Sequence, residues 1–147
     1  MILAAIGSRS FADYTLLCEI LDSYMPVSLL ISGGAKGADY LAHRWAASRE
    51  VPVAIYRADW HNNGKQAGLL RNAVIVEKAD QVVAFWDGLS RGTADTISRA
   101  KKTGKPLQIV PFGYLLKQQA YERRRKEETA ARGGGRSRTQ TAPRRDG

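Results

Sequence analysis

Five short apolar runs, each followed by a helix-patterned stretch, limit what this chain of 147 residues can fold into. The runs are residues 2–6, 27–31, 53–56, 81–86 and 107–110. They are strand-sized, and their hydrophobicity is continuous rather than alternating, as in strands covered on both faces. Between them, residues 14–24 set Leu16, Leu17, Ile20 and Leu21 at helical spacing, and residues 38–49 do the same with Leu41, Ala42, Trp45 and Ala46. Residues 69–78 and 93–102 complete the helical set. Alternating strands and helices with short links predict an α/β fold, with about five parallel strands and helices on both faces.

Beyond Val110 the character changes. Pro111-Phe112-Gly113 ends the last strand, and Tyr114 to Arg132 is expected to be helical, with apolar residues to pack only at its start (Tyr114, Leu115, Leu116). The expected organisation is a domain over 1–116, a basic helical extension over 117–132, and a disordered basic tail over 133–147, where Gly, Ser, Thr, Pro and Arg offer too little burial to offset chain entropy. The net charge is +9. Residues 117–147 hold ten Lys or Arg against four Asp or Glu, a net of +6, which leaves only +3 on residues 1–116. The basic character therefore belongs to the tail.

Several classes drop out. No apolar run approaches the roughly 18 residues of a membrane span. No basic stretch precedes the first run, as a secretory signal would require, so a cytoplasmic location is expected. One cysteine, Cys18, leaves no internal disulfide framework, and with two separated histidines no metal cluster is expected.

The chemistry concentrates at three strand-to-helix corners. They are Gly7-Ser8-Arg9-Ser10-Phe11, Ser32-Gly33-Gly34-Ala35-Lys36-Gly37-Ala38-Asp39 and Asp87-Gly88-Leu89-Ser90-Arg91-Gly92-Thr93. Glycine lets backbone approach a ligand, helix N-termini favour anions, and the hydroxyls and cations add donors. Three such corners on one sheet edge predict a phosphate-bearing ligand. The residues from 33 to 39 are not a Walker A loop, and no G-x-G-x-x-G follows a strand, so neither ATP-magnesium chemistry nor an ordinary dinucleotide site is expected. No cofactor is expected.

The ordered motifs Gly7-Ser8-Arg9-x-Phe11, Ile31-Ser32-Gly33-Gly34-Ala35-x-Gly37-Ala38-Asp39, Ala58-Asp59-Trp60, Lys65-x-Ala67-Gly68-x-x-Arg71-Asn72 and Trp86-Asp87-Gly88-x-Ser90-x-Gly92-Thr93 resemble the YspA-like (cpYpsA-related) family over about residues 1–112. That family lies in the SLOG superfamily with the Lonely Guy phosphoribohydrolases and the DNA-processing protein DprA. The resemblance implies a Rossmann-like fold, a nucleotide-type ligand and a homo-oligomer. The Lonely Guy signature P-G-G-x-G-T-x-x-E is matched at Gly92-Thr93, and its upstream arginine at Arg71. Its glutamate position is Thr96, with Asp95 one residue early, and a one-residue offset turns a helical side chain by about 100°.

The expected ligand contacts are Gly7, Ser8 and Arg9; Ser32, Gly33, Gly34, Lys36, Gly37 and Asp39; Trp60 and Lys65; Arg71 and Asn72; and Asp87, Ser90, Gly92 and Thr93. Arg71 and Lys36 would balance charge, Asp87 would hold ribose, and Trp60 would stack on a base. Asp39, in the first turn of its helix, is equally placed to cap it. The link 58–68, read as a long loop, is a candidate binding loop. Cys18 and His43 read as structural. The leading expectation is a binder of a small nucleotide-derived ligand, such as an ADP-ribose-like or cyclic nucleotide signal, acting as sensor, carrier or sponge. One alternative is a hydrolase of an N-glycosidic bond using Asp87, Asp95 or Arg71. Another is a DprA-like nucleic-acid binder, with weak nonspecific contact through the tail, although residues 117–147 lack the interleaved aromatics that stack on single strands.

Overall fold

The computed structural model describes residues 1–137. The strands are β1 (Ile2–Gly7), β2 (Leu29–Ser32), β3 (Val53–Ile55), β4 (Gln81–Trp86) and β5 (Leu107–Pro111). The helices are α1 (Tyr14–Asp22), α2 (Ala38–Ser48), the single turn α3 (Trp60–Asn63), α4 (Ala67–Lys78), α5 (Arg91–Lys102) and α6 (Gly113–Ser137). All strands pair in parallel, in the order β3-β2-β1-β4-β5. The α/β, Rossmann-like expectation is met.

Why the apolar runs are continuous is visible in the two cores. Along β1, Leu3 and Ala5 face α1 and α2, while Ala4 and Ile6 face the opposite layer. Along β4, Val83 and Phe85 join the first layer, and Val82 and Ala84 join the second with Ile75 and Val76 of α4 and Ile97 of α5. Each fully buried Leu or Ile in these layers contributes on the order of 1.5–3 kcal/mol. Trp45, fully buried on α2, donates its indole N–H to Asp22 at 2.8 Å, so the largest core side chain leaves no polar atom unpaired.

Two segments differ from their sequence reading. The link 58–68 is not a loop throughout: Asp59 caps α3 by accepting from Asn62 N–H at 3.2 Å, and a 3₁₀ turn over Gly64–Gln66 leads into α4. The C-terminal helix, expected over 114–132, runs from Gly113 to Ser137 and so extends into the tail expected to be disordered. The remainder of the expected disordered tail, 138–147, lies outside the described residues. No helix among the described residues is long and apolar enough to cross a membrane.

Candidate functional site: a cleft at the strand-order reversal

The strand order reverses between β1 and β4, and open α/β sheets bind ligands beyond the carboxyl ends at that point. A cleft of about 410 Å³ opens there, a size typical of small-molecule sites. The end of β1 supplies Ile6, Gly7, Ser8, Arg9 and Ser10. This corner is anchored from below by Phe11, whose ring lies 4.7 Å from Phe85 and 5.0 Å from Phe112, centroid to centroid. Gly7 is obligatory, because a Cβ would sit 2.4 Å from the Phe85 carbonyl oxygen.

The corner after β2 is organised around Asp39, which is only 3% exposed. Its Oδ2 accepts from the N–H groups of Gly33 (2.9 Å) and Ala35 (3.3 Å), and its Oδ1 accepts from Gly7 N–H at 3.2 Å. One carboxyl group thus ties the first corner to the second and occupies amides that a ligand phosphate would otherwise use. Burial pushes this carboxyl above the usual range; the Ala35 and Gly33 amides, the Arg71 charge and the Gly7 amide act in the opposite direction. Gly37 has φ 71° and ψ −124°, and a Cβ there would meet the Arg9 and Ser8 carbonyl oxygens at 2.4 and 2.5 Å.

Arg71 reaches the cleft from α4. Its Nη1 donates to the Gly33 carbonyl at 2.9 Å and its Nε donates to Asn72 Oδ1 at 2.9 Å. Among the described residues no ion pair neutralises it. Asn72, 6% exposed, turns its amide to Asp95 Oδ2 at 3.0 Å and the Gly92 carbonyl at 3.4 Å, so it holds Arg71 while bridging α4 to α5. Asp95 itself pairs with Arg99 at 2.8 Å and does not line the cleft. Thr96 does, with its hydroxyl donating to the Gly92 carbonyl at 3.2 Å.

The corner after β4 has a different construction. Asp87 Oδ1 accepts from Leu89 N–H and Ser90 N–H, both at 2.9 Å, and from the buried Ser8 hydroxyl at 3.1 Å. Burial works to raise this carboxyl, but the Leu89 and Ser90 amides and the Ser8 hydroxyl outweigh it and hold it below the usual range. Oδ2 has no hydrogen-bond donor among the described residues. Ser90 precedes α5 but makes no side-chain cap; its hydroxyl instead meets that of Thr93 at 3.1 Å. The N–H groups of Arg91, Gly92 and Thr93 open the helix and have no intrahelical acceptor.

Of the sequence-proposed contacts, the cleft brings together Gly7, Ser8, Arg9, Gly33, Asp39, Arg71, Asn72, Asp87, Ser90, Gly92 and Thr93. Six lie off its lining: Ser32, whose hydroxyl meets His43 Nε2 at 2.5 Å; Gly34 and Gly37, which shape the second corner; the exposed Lys36 and Lys65; and Trp60, 61% exposed and beside Gly68. The sequence reading missed Ile6, Ser10, Ala35, Ile75 and Thr96. Helical phase was a usable signal for Thr96, which stands four residues after Gly92. No His, Cys, Asp and Glu cluster suited to a metal occurs among the described residues.

Known proteins resemble this chain in sequence or in fold. A family model described as YAcAr, the YspA, cpYpsA-related SLOG family, matches residues 1–62, and the Gene 61 protein of Mycobacterium phage D29 is 38% identical over 117 residues, covering 73% of this chain and 92% of that protein. Among solved structures, DNA processing protein A from Streptococcus pneumoniae is similar with a TM-score of 0.62 at 17% identity, over 78% of this chain and 51% of that one. The chain thus spans about half of that protein. The molybdenum cofactor binding protein of Rippkaea orientalis is similar with a TM-score of 0.56 at 24% identity, over 82% and 81% of the two chains. DNA processing protein A from Helicobacter pylori, described by its single-stranded DNA binding mode, gives 0.57 at 21%, over 76% and 66%. These structural likenesses speak to the fold, whereas the phage relative is matched over nearly its whole length. The chain belongs to the YspA, cpYpsA-related SLOG family.

Proposed function

We propose that the cleft binds a small nucleotide-derived ligand, with its phosphate on the first turn of α5 and its ribose on Asp87, and that the protein acts as a sensor, carrier or sponge for it. The observation that carries this reading is the uncapped start of α5 in the cleft wall, with free amides at Arg91, Gly92 and Thr93 beside the Ser90 and Thr93 hydroxyls. A helix N-terminus of this kind favours an anion, and Arg71 and Arg9 add positive charge along the same cleft. Asp87 Oδ2 is an acceptor held as a carboxylate, suited to a sugar hydroxyl. Trp60 and Lys65 are assigned no contact in this reading.

Hydrolysis is the weaker alternative. A base–ribose hydrolase needs a carboxylate at the cleft, and Asp95 is engaged with Asn72 and Arg99. Asp87 is the remaining carboxylate candidate with an unpartnered oxygen, and its lowered pKa suits an acceptor better than a proton donor. A homo-oligomer forms part of the proposal: Leu69, Leu70 and Val74 of α4 leave exposed apolar surface that a second copy would cover.

Native mass spectrometry after incubation with nucleotides, ADP-ribose derivatives and cyclic nucleotides tests this reading. It expects an intact ligand retained stoichiometrically, on an oligomer, without new product masses. Released base or sugar phosphate would replace the binder with an enzyme. No retained ligand would refute the cleft as a nucleotide site.

A further inference from the structure

The long C-terminal helix offers a second surface, independent of the cleft. From residue 121 to 132 every residue of α6 is exposed, so this part of the helix projects away from the sheet domain. A helix that buries so little of itself gains little from packing, and its side chains are available to a partner. Because α6 runs unbroken from Gly113, Tyr114 lies on the same helix as Tyr121 and nearly in phase with it, so two rings stand among the cations where the segment from 117, read alone, has one. At about 100° per residue, Tyr114, Lys117, Tyr121, Arg124, Arg125, Glu128 and Arg132 fall in one stripe roughly 100° wide. Tyr114 and Tyr121 are 53% and 52% exposed, so about half of each side chain is open to a partner. Glu128, the acidic member, lies 3.8 Å from Arg132, an exposed i,i+4 pair that a competing phosphate can open at little cost.

We propose that this stripe binds single-stranded nucleic acid, with bases stacking on Tyr114 and Tyr121 and phosphates meeting Lys117, Arg124, Arg125 and Arg132. Alternating rings and cations is the chemistry of sequence-tolerant single-strand binding, in which every base offers a π-face and every nucleotide a charge. An acidic protein would use the cations but gain nothing from two exposed rings aligned with them. A membrane would need a broad apolar face, and the exposed turns carry charge on the other sides as well, at Glu122, Arg123, Lys126 and Glu127. The arm, itself outside the cleft lining, is rooted on the loop after β4: Leu115 donates its N–H to the Asp87 carbonyl at 2.9 Å and packs on Gly88.

The test is fluorescence anisotropy of the full chain with a labelled twenty-residue oligo-dT, an equivalent duplex and polyglutamate as competitors. At about 0.7 logarithmic units per phosphate contact, four contacts give a salt slope near −3, or roughly a fiftyfold loss between 50 and 200 mM salt. Tyr114→Ala with Tyr121→Ala, and separately Lys117→Gln with Arg124→Gln and Arg125→Gln, are each expected to weaken oligo-dT binding at least tenfold. Tyr114→Phe with Tyr121→Phe should retain it, because stacking needs the ring and not the hydroxyl. Unchanged affinity in the Tyr→Ala pair, or competition by polyglutamate or duplex as strong as by oligo-dT, would overturn the assignment. Retention of a mononucleotide in the cleft should be the same in all these variants, so failure of the arm and failure of the cleft read out separately.

Discussion

The corners after β2 and after β4 look alike as sequence, each a strand end running into glycine, hydroxyl and basic residues before a helix. Their structures divide the labour. After β2, the amides of Gly33 and Ala35, together with Gly7 from the first corner, already hold the carboxyl of Asp39. After β4, Asp87 folds back on its own loop and leaves the first turn of α5 uncapped. One corner fills its anion cradle from within and fastens two loops together. The other keeps its cradle open to the cleft. On the proposed reading, a glycine-rich loop takes a phosphate only where no side chain of the protein already holds its amides.

Breaking the filled corner should have the largest effect. Asp39→Ala leaves the Gly7, Gly33 and Ala35 amides without their acceptor in a buried setting, at about 1–3 kcal/mol each. A loss of roughly 3 kcal/mol or more is expected in denaturant unfolding. Gly37→Ala attacks the same corner through its backbone and should also be severe, since both its positive φ and its contact with the Ser8 and Arg9 carbonyls exclude a side chain.

The open corner should respond in binding rather than stability. Arg71→Met is expected to weaken a nucleoside monophosphate by about tenfold or more, as the loss of a charge-assisted contact does, while the melting temperature moves by only a few degrees. Calorimetric titration against a thermal melt separates the two. Gly33→Ala provides a finer version: its Cβ would meet Arg71 Nη1 at 2.4 Å, so it should displace the guanidinium and mimic part of the Arg71 effect.

The two carboxyls should also part in acid. Asp87 is lowered in the folded state, so it contributes stability above the unfolded value near 3.9 that is lost as pH falls through the lower folded value. Asp39 is raised, so its contribution is full below about 3.9 and declines as pH rises through the higher folded value. Stability curves against pH should therefore show the gap between wild type and Asp87→Asn closing toward acid. The gap to Asp39→Asn should widen in the same direction. The smallest expected change is at Gly92, where a Cβ would meet nothing within 4 Å. Gly92→Ala should raise stability by at most about 1 kcal/mol, as Ala does over Gly in helices, yet reduce ligand affinity at the cleft wall.

The layered sheet was legible because burial on both faces writes itself into the chain as unbroken apolar runs, as in Val82 to Phe85. The cleft was legible in part, because strand ends and helix starts must meet at one edge. What the sequence conceals is the direction of side chains in loops and contacts between distant positions. Lys36 sits in a corner that lines the cleft but is not itself part of the lining, and Trp60 belongs to a segment, 58–68, that supplies no lining residue. The bond from Gly7 N–H to Asp39 joins residues 32 positions apart, and no local pattern announces it. Ile6 and Ile75 read as core from hydrophobicity, and they also floor the cleft. The α3 turn was missed although Asp59 is a standard N-cap residue, since four helical residues leave no periodicity to detect.

Amide ¹H–¹⁵N spectra of the full chain during titration with adenosine monophosphate test the division between the two corners most directly. The account predicts progressive shifts at Arg91, Gly92 and Thr93, with the Gly7, Gly33 and Ala35 amides held in place by Asp39. Shifts concentrated at Gly33 and Ala35, with the start of α5 unmoved, would contradict it and return the phosphate to the corner that Asp39 fills.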